Sequence, residues 1–106
     1  MELEEELHRL LDGLRSAISE LEAISTQASH DEVAYKVAYA KAILKSHEKT
    51  LREKEAEATV LTEDELLARV ISDRKAQVAR DKCMAYRTSI DAIRSLMVNA
   101  RVDSSF

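Results

Sequence analysis

The sequence contains no proline and no tryptophan, and its only glycine is Gly13. Proline and glycine are the residues that most often interrupt a helix, so few internal breaks are expected. A glycine-rich loop for binding phosphate groups is excluded for the same reason. Aromatic residues are also scarce, being three tyrosines and one phenylalanine, so the core must be built from aliphatic side chains.

The single cysteine, Cys83, excludes an intrachain disulfide and a cysteine-based zinc site. It falls on an apolar stripe, where we expect a small buried side chain rather than a reactive thiol. The chain has no apolar run of about 18 residues, the length that would predict a membrane span. Its acidic start also lacks a secretory apolar segment. We therefore expect no membrane partner and a cytoplasmic location.

Apolar residues recur at alternating intervals of three and four along two long stretches. This spacing places side chains on one side of a helix, which another helix must cover. The sequence therefore predicts an all-α protein with coiled-coil-like packing. The first stripe is Leu3, Leu7, Leu10, Leu14, Ala17, Leu21 and Ile24, and the second is Ala79, Cys83, Tyr86, Ile90, Ile93, Met97 and Ala100.

Small polar residues at 25–29 predict an end to the first helix at about residue 24. Ser29 and Glu32 have the S-x-x-E form of a capping box, which predicts a second helix from about 30 to 58. The predicted apolar stripe of that second helix is Val33, Val37, Ala40, Leu44, His47 and Leu51.

Thr62 and Glu65 form a second capping box, which predicts a turn near residue 60 and a third helix over 63–101. A single unbroken helix from 30 to 101 is the alternative. We expect one domain, 1–106, made of an acidic N-terminal helix (1–24) and a long antiparallel hairpin (30–101).

A hairpin folded about residue 60 places residue 44 near 77 and residue 33 near 88. Everything beyond about residue 92 then overhangs the start of the second helix, and its apolar stripe needs a cover. The sequence therefore predicts a homo-oligomer. The expected interface residues are Leu7, Leu10, Leu14, Leu21, Ile90, Ile93, Leu96 and Met97.

Charge is unevenly distributed, although the net charge is only −4. Residues 1–32 carry nine acids against two arginines, a net charge of −7, whereas residues 33–58 carry +2 and residues 59–106 carry +1. The chain thus has an acidic first segment and a mildly basic remainder.

Lys41, Lys45, Lys49 and Arg52 follow helical spacing and predict one basic face on the second helix. Such a row is either a solvated face or a surface that contacts phosphates. A second basic row recurs every seven residues beside the apolar stripe, where pairing across the seam is the main interpretation and nucleic-acid contact the alternative. Its members are Arg80, Arg87, Arg94 and Arg101.

Nothing in the sequence predicts catalysis, a metal site or a cofactor. His8, His30 and His47 share no ligand spacing with one another or with Cys83. Tyr35 and Tyr39 lie one helical turn apart and could stack on bases, but core packing is the simpler interpretation. We therefore expect a non-enzymatic protein with no small-molecule substrate.

The last forty residues contain an apolar run, Leu66-Leu67 and Val70-Ile71, then Asp73-Arg74-Lys75, and close with 90–95, Ile-Asp-Ala-Ile-Arg-Ser. With the stretch from Tyr35 to Leu44 and the basic residues that follow it, this region resembles the UvsY-type recombination mediators of phages. The resemblance covers residues 33–100. It implies a helical-hairpin oligomer that holds single-stranded DNA, loads a recombinase, and presents a basic surface from Lys45, Lys49, Arg52 and Lys54.

Two functions remain open from the sequence. The first is a phage-type recombination or replication accessory protein that binds single-stranded DNA as an oligomer. The second is a protein–protein interaction module, such as a small inhibitor, an adaptor or a coiled-coil scaffold, that uses its acidic N-terminal helix.

Overall fold

The computed structural model describes residues 2–105, with side chains described as far as Val102. The chain forms α1 (Glu2–Lys45), α2 (Leu51–Leu61) and α3 (Glu63–Ser105), and the described residues contain no strand. α1 packs against α3 as an antiparallel hairpin, which confirms the all-α hairpin fold. The helix boundaries differ from the predicted ones.

α1 is one continuous helix, so the predicted break at 25–29 and the predicted helix start at residue 30 are wrong. The reason is that the first apolar stripe keeps its spacing beyond Ile24 and continues on the same side of the helix. Ser29 is an exposed residue inside the helix, and Asp31 accepts a hydrogen bond from the Gln27 amide at 3.0 Å. The continuation of the stripe is Ala28, Asp31, Tyr35, Ala38 and Ala42.

The chain reverses at residues 46–50, and the predicted turn near residue 60 is wrong. Ser46 organises this turn: its hydroxyl donates to Glu57 Oε2 at 2.6 Å and accepts from the backbone N–H of Glu48 at 3.2 Å. Thr50 is the N-cap of α2, with extended backbone angles and a side chain that accepts from the backbone N–H of Glu53 at 3.1 Å. Thr50-x-x-Glu53 is therefore the T-x-x-E sequence that starts a helix here.

Thr62 is the only residue between α2 and α3, and helical hydrogen bonds continue across it. The Thr62 N–H donates to the carbonyl of Ala58 and the Leu66 N–H donates to the carbonyl of Thr62, each at 3.0 Å. The Thr62 hydroxyl also donates to the Ala58 carbonyl, at 2.7 Å, so it does not cap α3. The Thr62–Glu65 pair is thus not a capping box, and α2 and α3 follow one another without a reversal of the chain.

The hairpin divides into two compact units: residues up to Glu22 with those from Gln77 onward, and residues Ala23–Ala76. In the first unit, antiparallel segments of α1 and α3 bury an aliphatic seam. Cys83 is buried within it, as the stripe predicts. The buried residues of this seam are Leu10, Ala17, Ala79, Cys83 and Ile90.

Because the turn lies at 46–50, the first segment of the chain covers the C-terminal stripe of the same chain. The predicted overhang beyond residue 92 is therefore wrong, and it gives no reason for an oligomer. Seven of the eight expected interface residues lie in the seam within the chain, and the eighth, Leu96, is exposed. The seven are Leu7, Leu10, Leu14, Leu21, Ile90, Ile93 and Met97.

Gly13 lies where the ring of Tyr86 crosses the backbone of α1. A Cβ atom at position 13 would lie 2.5 Å from a ring carbon of Tyr86 and 2.8 Å from its hydroxyl oxygen. The glycine costs helix stability by its flexibility, about 1 kcal/mol relative to alanine. Its place in the helix is explained by the space that the tyrosine ring needs.

The seam of the second unit is more polar, because the buried Thr62 and Ser72 both belong to it. Ala58 and Ala76 are buried, and between them the buried Ser72 donates its hydroxyl to Asp31 Oδ2. Small side chains let the helices approach closely, and a polar pair in such a seam favours one register over its neighbours.

The observed helix boundaries predict different effects on stability when Thr50 and Ser29 are each replaced by alanine. Thr50→Ala removes the cap of α2 and should lower the free energy of unfolding by about 1 kcal/mol. Ser29 lies inside α1, and Ser29→Ala is the matched change. It should leave the free energy of unfolding unchanged or raise it by up to about 0.5 kcal/mol, because alanine favours a helix interior. Urea unfolding followed by circular dichroism measures both, and equal losses would contradict the continuous α1.

The Ser72–Asp31 hydrogen bond makes a second prediction. Ser72→Ala leaves a carboxylate oxygen in the seam without its donor and should cost roughly 1 kcal/mol of stability. The double variant Asp31→Leu, Ser72→Ala removes both polar groups and should recover that loss. Ser16→Ala, at an exposed helical serine, is the control. A double variant that is less stable than Ser72→Ala alone would show that the pair does not act in this way.

Candidate nucleic-acid interface

The predicted basic residues lie on both sides of the chain reversal rather than on one helix face. Lys41 and Lys45 belong to the end of α1, Lys49 lies in the connecting segment, and Arg52 and Lys54 lie near the start of α2. The predicted row on a single second helix is therefore wrong, since α1 ends at Lys45. The turn nevertheless brings these five residues, the turn-end cluster, to the same end of their unit.

The turn-end cluster has no acidic partners. Its members are exposed, except for the half-buried Lys54, and none forms an ion pair with another described residue. Some basic residues elsewhere are paired, as in Lys36–Glu32 at 3.0 Å and Lys82–Glu20 at 3.2 Å. No close ion pair therefore holds these five side chains in the described part of the chain, although four glutamates, Glu48, Glu53, Glu55 and Glu57, lie among them in the sequence.

The acids of the same turn interact with each other and with Ser46. A hydrogen bond with Glu53 raises the pKa of Glu48, burial raises it further, and the nearby charges of Glu53 and Glu57 add to the effect. Glu57 accepts the hydroxyl of Ser46. The acids of this turn thus contact one another and Ser46, and none forms an ion pair with the neighbouring lysines in the described part of the chain.

Tyr35 and Tyr39 are half-buried in the second unit, in contact with each other and with α3. Their ring centroids lie 5.9 Å apart, and the Arg69 guanidinium lies 5.4 Å from the centroid of the Tyr35 ring. A cation over an aromatic face is attractive. The face of Tyr35 that meets Arg69 is thus already in use, which favours core packing over base stacking.

The second basic row lies on the outer part of α3 in the first unit. Arg80 donates to the Gln77 side chain at 3.0 Å, and Arg87 and Arg94 are exposed. Arg101, the last member of the row, is exposed as well. The seven-residue spacing therefore produces an exposed line of arginines beside the seam.

The acidic segment begins α1, where negative charge stabilises the helix N-terminus. Glu2, Glu4 and Glu5 are exposed in the first turn. Glu6 pairs with Arg9, and this hydrogen bond lowers the pKa of Glu6. The first three carboxylates remain a compact acidic surface.

Histidine and carboxylate side chains do not converge on a metal site within residues 2–105. His8, His30 and His47 are all exposed, including His47, which was expected on an apolar stripe. None of the helices described here combines the length and the apolar character needed to cross a membrane.

The predicted apolar stripe of the second helix faces away from α3. Val33 is 59% exposed, Val37 is 44% exposed and Leu44 is 84% exposed. We name Val33, Val37, Ala40 and Leu44 the α1 outer stripe. An open depression of about 410 Å³ continues it toward the N-terminus, lined only by α1 residues Thr26, Ser29, His30 and Val33.

A second exposed apolar stripe, not predicted from the sequence, lies on the outer side of α2 and α3. Val60 is 72% exposed, Leu67 is 56% exposed and Ile71 is 46% exposed. We name these three residues the α2–α3 outer stripe. The interval of seven between Val60 and Leu67 is the sequence signal that could have identified it, once the turn at 46–50 was known.

Comparison with known proteins gives no relative: no family model, curated protein or solved structure matches this chain.

Glu48 provides a pH prediction. Its folded pKa should lie above the ordinary value of 4.5, because the carboxyl group shares a hydrogen bond with Glu53. The contribution of this hydrogen bond to stability is present at low pH and is lost as the pH rises through the raised pKa. Carboxyl NMR titration should show the raised pKa, and Glu53→Gln should lower it. Glu55→Gln is the control, and an ordinary pKa for Glu48 in the unmodified protein would contradict the contact.

Proposed function

We propose that this protein is a non-enzymatic accessory protein that binds single-stranded DNA through the phosphates, using the turn-end cluster, and acts as an oligomer. The observation that supports this best is that five basic side chains share one end of a unit and form no ion pair with the residues that the structure describes. Unneutralised lysine and arginine side chains on a surface attract a polyanion and release its counterions on binding.

The proposed contact is with the backbone rather than with the bases. The turn-end cluster is formed by the end of α1, the connecting segment and the start of α2. Because Arg69 already packs on the ring of Tyr35, we do not expect that ring to stack on a base. A single copy supplies few phosphate contacts, and its acidic first segment repels DNA. Several copies on one strand would raise the overall affinity by multivalency.

A role in recombination, with a recombinase as the protein partner, is supported by the resemblance of residues 33–100 to recombination mediators. In that role the protein would hold the strand while the recombinase is loaded.

The test is binding to a fluorescent oligothymidine, followed by anisotropy over a range of salt concentrations. We expect the affinity to fall steeply with salt, and the triple variant Lys45→Ala, Lys49→Ala, Arg52→Ala to bind at least tenfold more weakly at low salt. The salt slope should decrease by roughly 2, because each single-strand phosphate contact contributes about 0.7.

The matched control is Arg74→Ala, Lys75→Ala, Arg87→Ala, which removes the same charge from exposed positions of α3 outside the cluster. It should retain most of the affinity. An equal loss in both triple variants would indicate a general charge effect and contradict a site at the turn.

The second candidate is the protein-interaction module, and the observation that favours it is the exposed acidic turn of Glu2, Glu4 and Glu5. A protein that binds no oligonucleotide even at low salt would exclude the first proposal. The acidic surface would then be the better candidate for the functional site.

A further inference from the structure

The two helices of the first unit meet along a seam with two edges, and one ion pair identifies the first edge. Glu20 of α1 and Lys82 of α3 pair there at 3.2 Å. Successive side chains turn by about 100° around a helix, so the buried Ala17 lies about 60° from Glu20 and the buried Cys83 about 100° from Lys82. Residues about 120–180° from this pair, in the same sense, therefore lie at the second edge of the seam.

The α1 side of the second edge is apolar. Its residues follow intervals of four, three and four, the spacing of a helix surface that another helix covers. Asp12 is the one acid among residues 7–19, and it lies away from this edge, where it pairs with Arg15 at 3.5 Å. The apolar residues of this side are Leu7, Leu11, Leu14 and Ile18, and all four are half-buried.

The α3 side of the second edge carries arginines. Arg80, Arg87 and Arg94 lie about 160°, 140° and 120° from Lys82, and all three are exposed. Arg87 and Arg94 form no ion pair with the described residues, although Asp91 lies within one turn of both. Pairing across the seam is not available to them either, because the α1 side of this edge is apolar. Three arginines and one aspartate give the α3 side a net charge of +2.

The leucines and the arginines lie side by side. The Glu20–Lys82 contact sets the register of the two helices, and in that register Leu14 lies beside Arg87 and Leu7 beside Arg94. One heptad, about 10.5 Å along the helix axis, separates the two pairs. We name this surface the leucine–arginine groove: Leu7, Leu11, Leu14 and Ile18 of α1 with Arg80, Arg87 and Arg94 of α3.

We propose that the leucine–arginine groove binds one amphipathic helix of a partner protein, and that this helix carries glutamate or aspartate at every seventh position. The apolar side of the partner helix packs on the four residues of α1 and completes a three-helix bundle with α1 and α3. Its acids meet the arginines, because both recur at the same interval. Charges that flank an apolar seam in this way select the partner.

A helix accounts for both sides of the groove, whereas a nucleic acid would account for the arginines alone. Leu11 and Ile18 have no group that binds a phosphate. Proteins that bind single strands place aromatic rings among their basic residues. Tyr86, the one aromatic residue that the structure describes in the first unit, instead packs against Gly13.

This inference goes beyond the proposed function and does not depend on it. The DNA contact uses the turn-end cluster of the second unit, whereas the leucine–arginine groove belongs to the first unit. It also differs from the candidate surface of Glu2, Glu4 and Glu5, which fits a basic partner rather than an acidic one.

The test uses two synthetic helical peptides of four heptads that differ only in charge. Both carry leucine at the a and d positions, and the flanking e and g positions are glutamate in one and lysine in the other. Binding of the full chain to each labelled peptide is followed by anisotropy, at concentrations where the peptides alone are monomeric. The glutamate peptide should bind at least tenfold more tightly. Equal affinities, or no binding of either peptide, would overturn the proposal.

A charge reversal locates the contact. The double variant Arg87→Glu, Arg94→Glu should prefer the lysine peptide, a gain that unfolding cannot produce. The matched control is Arg74→Glu, Lys75→Glu, which makes the same charge change at exposed positions of α3 in the second unit. It should keep the preference for the glutamate peptide. A control that reverses the preference equally would show a general charge effect and overturn the site.

The apolar side of the groove distinguishes a helix from a polyanion. Leu11→Gln should weaken binding of the glutamate peptide at least tenfold while circular dichroism shows unchanged helicity. Met84→Gln, at a 65%-exposed residue beside Ile18, should weaken it without disturbing the fold. Full affinity in both variants would overturn the packing of a helix here. So would tighter binding of a DNA duplex than of the glutamate peptide, if Arg87→Glu, Arg94→Glu abolishes it, because the groove would then be a nucleic-acid site.

Discussion

The contact between α1 and α3 depends on one line of side chains that keeps its heptad spacing from Leu3 to Ala42. Because this line does not shift to another side of the helix, α1 can remain a single helix over its whole length and present one side to the returning chain. The position of the turn follows from that length, and the position of the turn decides which residues of α3 meet which residues of α1. The position of the turn therefore explains why the first segment covers the C-terminal stripe. It also explains why basic residues from α1 and α2 lie close to one another.

Part of this structure could be predicted from the sequence. The helical class, the stripe from Leu3 to Ile24 and the stripe from Ala79 to Met97 are all present as the spacing indicates, and they pair within the chain. The start of α3 at Glu63 also agrees, although Thr62 does not cap it. These features follow from the apolar periodicity. Because it extends over many residues, a single ambiguous capping or turn signal does not change the prediction.

The turn could not be located by hydrophobicity. Four sequences of the chain match the S/T-x-x-E pattern, at Ser19, Ser29, Thr50 and Thr62, and only Thr50 is used as a cap. Ser29 lies inside an uninterrupted stripe, so the tertiary contact of that stripe overrides a local capping signal. The four-residue pattern therefore does not decide which of these sites starts a helix, whereas the apolar spacing over about forty residues does.

The sequence analysis also predicted the wrong packing side of the helix between residues 33 and 51. Val33, Val37 and Leu44 are larger and more apolar than Ala28, Ala38 and Ala42, yet the alanines face α3. Small side chains allow two backbones to approach closely, and large ones would hold them apart. The larger residues are therefore left on the outside of the hairpin.

The ring of Tyr86 against Gly13 has a consequence for how this chain finds its fold. A slip of the two arms by one heptad would bring the ring to Glu6 or Glu20 instead, where a side chain already occupies the space. Most of the aliphatic seam would tolerate such a slip, because leucine and alanine positions recur at the same interval. The only residue without a side chain thus favours one alignment of a repetitive sequence, in addition to the hydrogen bond between Ser72 and Asp31.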